Sequence, residues 1–403
     1  MAHGHVNQGR PHLELADIVR AHGNALREQI SLSSQQARAL ADIARCRTAA
    51  LGGFVYECLD CGLEQPQYCS CSNRHCPKCQ VLEQHQWIEQ RTNRVLPVAH
   101  FHVVFTLPSQ LRSLVLCYPE SLYALLLRAS AETIIEFAKH PRRKGAVGAV
   151  PGITQVLHTW TRQLHYHPHV HSIVTSGGLS LDGQRWVACS KKFLSLVTNM
   201  GKVFNGKFCD GLRKLHKSGA LQGFGDFEDP QGFDRLMQRI VKLHWCVYAK
   251  HTLGDDKHVF RYLAQYTHRV GIANSRLVSM QEGNVTFRSK EGKTHTVSGV
   301  EFLRRFVQHV LPHGFTKIRH YGLYACGNVR TKLAQARQLL TPAADRSSVP
   351  FPAVQPQAVG WQLKLKTVTG RDVSRCPRCG SARWRAVALP TRIRAPPAIA
   401  AAA

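Results

Sequence analysis

The chain has 403 residues, 44% of them hydrophobic, so it can bury a core and hold more than one domain. Fifty-three Lys and Arg against 25 Asp and Glu leave a formal charge of +28, which points to a polyanion: nucleic acid first, an anionic membrane surface or a ribosome second. No run approaches the ~20 apolar residues of a membrane helix, and the opening MAHGHVNQGR has no apolar signal region. The fourteen cysteines are therefore read as metal ligands rather than disulfides.

Residues 11–47 read as helical, with Leu13, Leu15, Ile18 and Val19 as an apolar stripe and Ser33 with Gln36 as a capping box. Residues 46–80 form a cysteine-rich module, left by a helix over 81–95. Residues 99–106 (AHFHVVFT) have strand character, and 119–139 give the strongest helical pattern. After a basic loop at 141–147, strands at 153–162 and 169–175 flank a polar turn, with Pro168 starting the second strand and Gly177-Gly178 ending it. Helices are expected at 192–216 and 232–243, then a short strand at 245–248 and a helix within 259–269. Small strands fill 277–300, and helices follow at 300–310 and 330–340. The Pro/Ala-rich end from Leu389 reads as a disordered tail. No internal repeat is present, and the mix is α+β rather than a repeated βαβ pattern.

Seven of the cysteines fall between Cys46 and Cys79. Cys58-Leu-Asp-Cys61 and Cys76-Pro-Lys-Cys79 are two knuckles whose spacing fits one closed tetrahedral zinc site of four thiolates. Cys46, Cys69, Cys71 and His75 remain as candidates for a second zinc. Near the end, Cys376-Pro-Arg-Cys379 offers half of another zinc site, with partners that the sequence does not reveal. Arg74 and Lys78 border the module and are candidates to contact DNA phosphates.

The stretch 158–171 holds five histidines. A strand puts His169 and His171 on one face, where they can hold a divalent ion. His158, on the preceding strand of the hairpin, is favoured as third ligand over His167, while His100-Phe101-His102 carries the same pattern and competes to line the site. Tyr262 and Tyr266, four residues apart, share one face of a helix whose other faces carry Arg261, Gln265, His268 and Arg269. Alone, such a pair is ordinary core packing. Beside a metal-binding strand on so basic a chain, it suggests tyrosine nucleophiles acting on single-stranded DNA.

These motifs resemble the rolling-circle, two-tyrosine HUH transposases of bacterial insertion sequences (the IS-ninety-one family). The residues that carry the resemblance are Asn73-Arg-His-Cys-Pro-Lys-Cys-Gln80, Phe101-His-Val-Val-Phe-Thr-Leu-Pro108, His167-Pro-His-Val-His171, Tyr262-Leu-Ala-Gln-Tyr266 and Lys317-Ile-Arg-His-Tyr-Gly322. The resemblance implies a helical segment (1–45), a zinc-binding domain with an exit helix (46–95), and a catalytic HUH domain with a central antiparallel sheet flanked by helices (96–275). A small α/β DNA-binding or accessory region with the last knuckle (276–388) and the tail (389–403) complete it. It also implies that Tyr262 and Tyr266 form 5′-phosphotyrosine links beside a Mg²⁺ or Mn²⁺ ion, with one or two structural Zn²⁺. Phe54 stands where relatives carry a histidine after Gly-Gly, and Cys69 is the candidate substitute.

The implied partners are single-stranded or hairpin DNA at element ends, target DNA and host replication machinery, in the cytoplasm at the bacterial nucleoid and with no membrane. Arg269, Arg304, Arg305 and Arg319 are further DNA-binding candidates. Two alternatives remain: a plasmid replication initiator or relaxase of the same chemistry, and an inactive zinc-dependent DNA-binding protein.

Overall fold

The computed structural model describes residues 13–79, 94–139, 148–189, 197–227, 229–252, 271–289, 292–341, 366 and 372–389. Helix α1 (Leu15–Gln29) buries Leu15, Ile18, Val19 and Leu26, and α2 (Ser34–Arg45) starts at the expected capping box, with the Gln36 amide N–H on Ser33 Oγ and the Ser33 N–H on Gln36 Oε1. Strands β1 (Gly53–Cys58) and β2 (Glu64–Tyr68) then pair antiparallel. Gly53 is required there, because a Cβ would sit 2.3 Å from the Gln67 carbonyl oxygen.

The middle of the chain runs β3 (His100–Thr106), α3 (Arg112–Cys117), α4 (Pro119–Lys139), β4 (Ala149–Val150), β5 (Gly152–Trp160), β6 (Tyr166–Thr175), β7 (Gly177–Ser180) and β8 (Trp186–Ala188). Helices α5 (Val197–Lys217) and α6 (Gly232–Val241) lead to β9 (Val247–Thr252). A meander, β10 (Leu277–Gln281), β11 (Asn284–Arg288) and β12 (Thr294–Ser298), precedes α7 (Gly299–Val307), β13 (Ile318–Gly322), α8 (Lys332–Leu340) and β14 (Trp384–Leu389). The exit helix expected at 81–95, the 141–147 loop, the tyrosine helix and residues 390–403 lie outside the described residues, apart from the last two residues of the exit helix.

Five strands form the central sheet in the order β13-β5-β6-β3-β9, every neighbour antiparallel. Alternation sorts their side chains. Phe101, Val103, Phe105, Ile153, Leu157, Val170, Val174 and Val247 join one buried cluster with Leu122, Leu126 and Phe137 of α4 and Met200, Phe204 and Phe208 of α5. Each large apolar side chain buried this way contributes roughly 1.5–3 kcal/mol. The opposite face carries the histidines. Gly201 lets α5 approach the entry to β9, since a Cβ would meet the Trp245 carbonyl oxygen at 2.5 Å.

Pro168 does not start β6, as the sequence had suggested; the strand begins at Tyr166. Pairing with β3 ends at Thr106↔His169 and the register with β5 shifts between His158 and Trp160, so the missing proline N–H breaks no regular ladder. The Pro168 carbonyl still accepts from Leu107 N–H at 3.2 Å.

Elements from the first part of the chain pack against elements from its last third. Phe302, Phe306 and Val307 of α7 share a buried cluster with Leu15, Ile18, Leu26, Leu40 and Ile43 of α1 and α2. Strand β14 pairs antiparallel with β1 along its length, from Gly53↔Leu389 to Cys58↔Trp384, so the last described strand belongs to the sheet of the first two.

Behind the hairpin turn, buried His309 bridges Thr159 Oγ1 (3.2 Å from Nδ1) and the Leu164 carbonyl (3.0 Å from Nε2). Burial, only partly opposed by the Leu164 carbonyl, lowers its pKa from 6.5 to about 4. The unfolded chain therefore takes up the proton first as pH falls, and stability drains away from about pH 6.5 towards pH 4. His309→Gln should make that loss smaller by about 2 kcal/mol at pH 5, measured as guanidine unfolding free energy at pH 7 and pH 5. Equal losses in the two proteins would exclude His309 as a contributor.

Candidate functional site

On β6, period two brings His167, His169 and His171 to one side, and β5 sets His158 directly opposite His169. Ring centroids lie 5.5 Å apart for His158–His169, 4.5 Å for His158–His171 and 4.9 Å for His169–His171. One ring nitrogen from each falls within 4.8 Å of the others, a spacing that one metal ion can span. The His169 Nδ1–H donates to the His167 carbonyl at 2.7 Å, which leaves Nε2 with its lone pair. Burial lowers His169 to about 4, so the ring is neutral near pH 7.

His102 does not compete as a ligand. Its Nε2 stands 2.8 Å from His171 Nδ1, with the rings 5.1 Å apart and 5° from parallel. Burial also holds His102 neutral, at about 4. A neutral His102 Nε2 can accept from His171 Nδ1–H, and that tautomer turns the His171 Nε2 lone pair outward. His100, two residues earlier, instead meets the Tyr324 hydroxyl at 3.1 Å. His167 lies 3.3 Å from Arg112 Nη2 and falls outside the triad. Trp160 stacks on His158 at 4.7 Å. On the same side of the sheet, β9 offers Tyr248, 52% exposed, and the exposed Lys250, opposite Val104 and His102.

Tyr262, Tyr266 and Arg269 lie outside the described residues. The chain leaves on β9, next to β3, and returns at Gly271, where a Cβ would lie 3.2 Å from His309 and 3.4 Å from Leu164. Ile272 then joins the buried cluster of Leu164. The first described residues after the tyrosine segment thus lie beside the turn of the histidine hairpin.

The cysteines divide differently from the expected sets. Cys58, Cys61, Cys76 and Cys79 do not converge. Cys76 and Cys79 meet Cys46 and Cys71, with Cys46 Sγ 3.5 Å and Cys71 Sγ 3.6 Å from Cys79 Sγ. Cys58 and Cys61 meet Cys376 and Cys379. The physical reason is tertiary: the β1–β2 turn carries Cys58 and Cys61 towards β14, whereas the loop after β2 folds back onto the end of α2 at Cys46. Cys69 is exposed and belongs to neither set, and His75 Nε2 accepts from Leu311 N–H at 3.3 Å instead. Phe54 stands 44% exposed on β1. One signal in the sequence did mark the pairing: glycine follows Cys61 and Cys379, but Gln80 follows Cys79.

Comparison with known proteins shows the lineage. Residues 152–332 match the family described as "Putative transposase", and residues 18–107 match the "Transposase zinc-binding domain" of the IS91 type. Across 394 residues the chain is 39% identical to "Putative transposase y4qJ" of Sinorhizobium fredii (strain NBRC 101917 / NGR234), spanning 95% of this chain and 97% of that one. The chain belongs to the IS91 family of transposases. It is also 28% identical over 368 residues to the transposase for insertion sequence element IS801 of Pseudomonas savastanoi pv. phaseolicola, spanning 88% and 84% of the two chains. Among solved structures, the conjugative relaxase TrwC in complex with oriT DNA aligns at 16% identity over 61% of this chain and 98% of that chain, with a TM-score of 0.25.

Several cations of the transposase singled out from the sequence have internal partners. Lys78 Nζ sits 2.7 Å from Glu14 and donates to the Cys46 carbonyl at 2.9 Å, with its side chain only 15% exposed. Arg74 donates to the Phe315 carbonyl at 2.7 Å. Arg305 joins Glu301 at 2.7 Å and the Gln163 carbonyl at 3.2 Å. Arg304, also paired with Glu301, keeps half its side chain in solvent, and Arg319 lies over the Phe315 ring at 5.3 Å.

The four thiols of Cys46, Cys71, Cys76 and Cys79 can hold the structural zinc of this domain. Cys71→Ser should then lower the melting temperature of the transposase by several degrees, on the order of 1–2 kcal/mol. Thermal denaturation followed by circular dichroism checks this, and an unchanged melt would remove Cys71 from the ligand set.

Proposed function

We propose that this transposase nicks and rejoins single-stranded DNA at insertion-sequence ends through a 5′-phosphotyrosine intermediate on Tyr262 and Tyr266. What carries the reading is the triad His158, His169 and His171, converging on the side of an antiparallel sheet opposite α4 and α5, in a chain of charge +28. A histidine core packed for stability alone would be expected to face the helices, where Phe101, Val103 and Phe105 lie.

His158, His169 and His171 would hold a divalent ion. Three imidazoles suit Mn²⁺ better than Mg²⁺, which prefers oxygen ligands. Such an ion, when bound, polarises the scissile phosphate and offsets charge developing on it. The chain's own groups do the rest. His102 orients His171, the His167 carbonyl orients His169, and Trp160 fixes the plane of His158. Lys250, exposed on the same face, is placed to hold a neighbouring phosphate.

In the reaction, a tyrosine phenolate oxygen forms a bond to phosphorus and the bond to the 3′ oxygen breaks, releasing a 3′ hydroxyl. Rejoining reverses it: a 3′ hydroxyl attacks and the phenol leaves. Two tyrosines allow two DNA ends to be held or exchanged, which suits movement of an element as one strand completed by host replication. No helix among the described residues is long and apolar enough to cross a membrane. Work at the bacterial nucleoid fits the charge.

Two measurements test this. Labelled single-stranded end DNA incubated with Mn²⁺ should give a covalent protein–DNA band on a denaturing gel, abolished in Tyr262→Phe plus Tyr266→Phe. No band with the wild type, or a band that survives in the double variant, overturns the nucleophile assignment. In calorimetric Mn²⁺ titrations, His158→Ala should weaken binding more than 100-fold and His102→Ala about 10- to 100-fold, while His167→Ala changes it little. Equal affinity in His158→Ala and wild type would remove His158 from the ligand set.

A further inference from the structure

We infer that the chain carries a second zinc site, built by Cys58 and Cys61 from its beginning and Cys376 and Cys379 from its end, which clasps the two ends together. Cys376 and Cys379 lie outside both matched regions, 18–107 and 152–332. The inference does not rest on the nuclease reading.

The sulfur geometry decides the chemistry. Cys58 Sγ is 3.6 Å from Cys379 Sγ, and Cys61 Sγ is 3.6 Å from Cys376 Sγ; all four sulfurs lie within 4.8 Å of one another. A disulfide needs about 2 Å. Tetrahedral zinc with Zn–S bonds of about 2.3 Å sets sulfurs about 3.8 Å apart. The pairs are therefore spaced for four separate thiolates around one ion, and four soft donors select zinc over magnesium or manganese.

The backbone is shaped for it on both sides. Each half is Cys-x-x-Cys-Gly. Gly62 and Gly380 adopt left-handed φ angles of 69° and 77°, and each N–H donates back to the carbonyl of the first cysteine, at 2.9 Å to Cys58 and 2.8 Å to Cys376. Two equivalent turns thus face each other from residues more than 300 positions apart. Leu59 N–H donates to the Arg383 carbonyl at 3.0 Å, joining one turn to the strand beyond the other.

The surroundings answer the charge. A zinc with four thiolates carries two net negative charges. Arg378 lies within the knuckle, Arg375 and Arg383 stand on either side of it in sequence, and Arg375 reaches over it to the Gly380 carbonyl at 3.2 Å. Beyond the turns, Arg383 pairs with Asp60 at 2.8 Å and Arg385 with Glu57, holding β14 on β1. The exposed ion pairs are each worth little, and a ribbon of three short strands buries little apolar surface. A metal bond would tie the two segments far more strongly than these ion pairs do.

The test is zinc content of the full-length protein, purified in reductant and measured by inductively coupled plasma mass spectrometry. Cys376→Ser plus Cys379→Ser should lose one zinc equivalent per chain, and Cys58→Ser plus Cys61→Ser should lose the same one, so the four-fold serine variant loses no more. Cys379→His, which keeps a zinc donor at an exposed position, should retain the wild-type content even if the serine variants fold poorly. Retention of full zinc by Cys376→Ser plus Cys379→Ser overturns the site. So does a map in which Cys58 and Cys61 variants lose zinc while Cys376 and Cys379 variants do not, because the N-terminal knuckles would then share one ion. A disulfide between Cys58 and Cys379, found by mass mapping under reducing purification, also overturns it.

Discussion

The register between β5 and β6 governs the histidine site. With His158 opposite His169, three imidazoles face one side. A slip of one residue would turn His158 towards the helices and Leu157 into the histidine side. What forbids the slip is on the far face, where Leu157, Val170 and Val174 pack among the side chains of α4 and α5. Burial of those residues outweighs anything the histidines gain from one another, so the spacing of the polar site is set by the apolar one. His309 adds a local pin, joining β5 at Thr159 to the turn at Leu164.

What could be read from the sequence follows from how local each signal is. The alternation through His167–His171 and the capping box at Ser33 are short-range, and the structure has both. His158 required one further step, a hairpin turn of known position. His102 was ambiguous, because His-x-His on β3 and on β6 look alike in a sequence. Only the sheet order, which sets β3 beside β6 with His102 opposite Ile173, puts His102 next to His171 rather than in its place. Pro168 misled for a related reason: proline is excluded from a paired ladder, and whether a position is paired depends on a neighbouring strand.

The cysteines are the sharper case. Spacing within a knuckle is a local property, but the pairing of knuckles is not. Cys58–Cys61 and Cys76–Cys79 sit close in sequence, which suits a single site, yet the β1–β2 turn and the returning loop send them apart. The partner of the first knuckle comes from the turn ahead of β14, whose long separation gives no local cue beyond the shared glycine. Loop-closure entropy grows only slowly with length, so the long connection is not a barrier once strand pairing and sulfur contacts reward it.

The same distinction between local and distant partners bears on the charge. A formal +28 overstates the cations free to meet phosphate. Arg74 on the Phe315 carbonyl, Lys78 on Glu14, Arg305 on Gln163 and Arg276 on the Arg162 carbonyl each tie segments distant in sequence. Burial lowers Lys317 to about 7, with the nearby Arg74 charge adding to the effect. The part-buried contacts of Arg74 and Lys78 are shielded from dissolved ions, whereas Arg304 and Lys250 at the surface are not. Salt should therefore release phosphates from the surface long before it loosens the packing of α1, α2 and α7 or the hold of the zinc module on the rest. The basic excess serves two roles, and only the exposed share of it sets how steeply nucleic-acid binding falls with ionic strength.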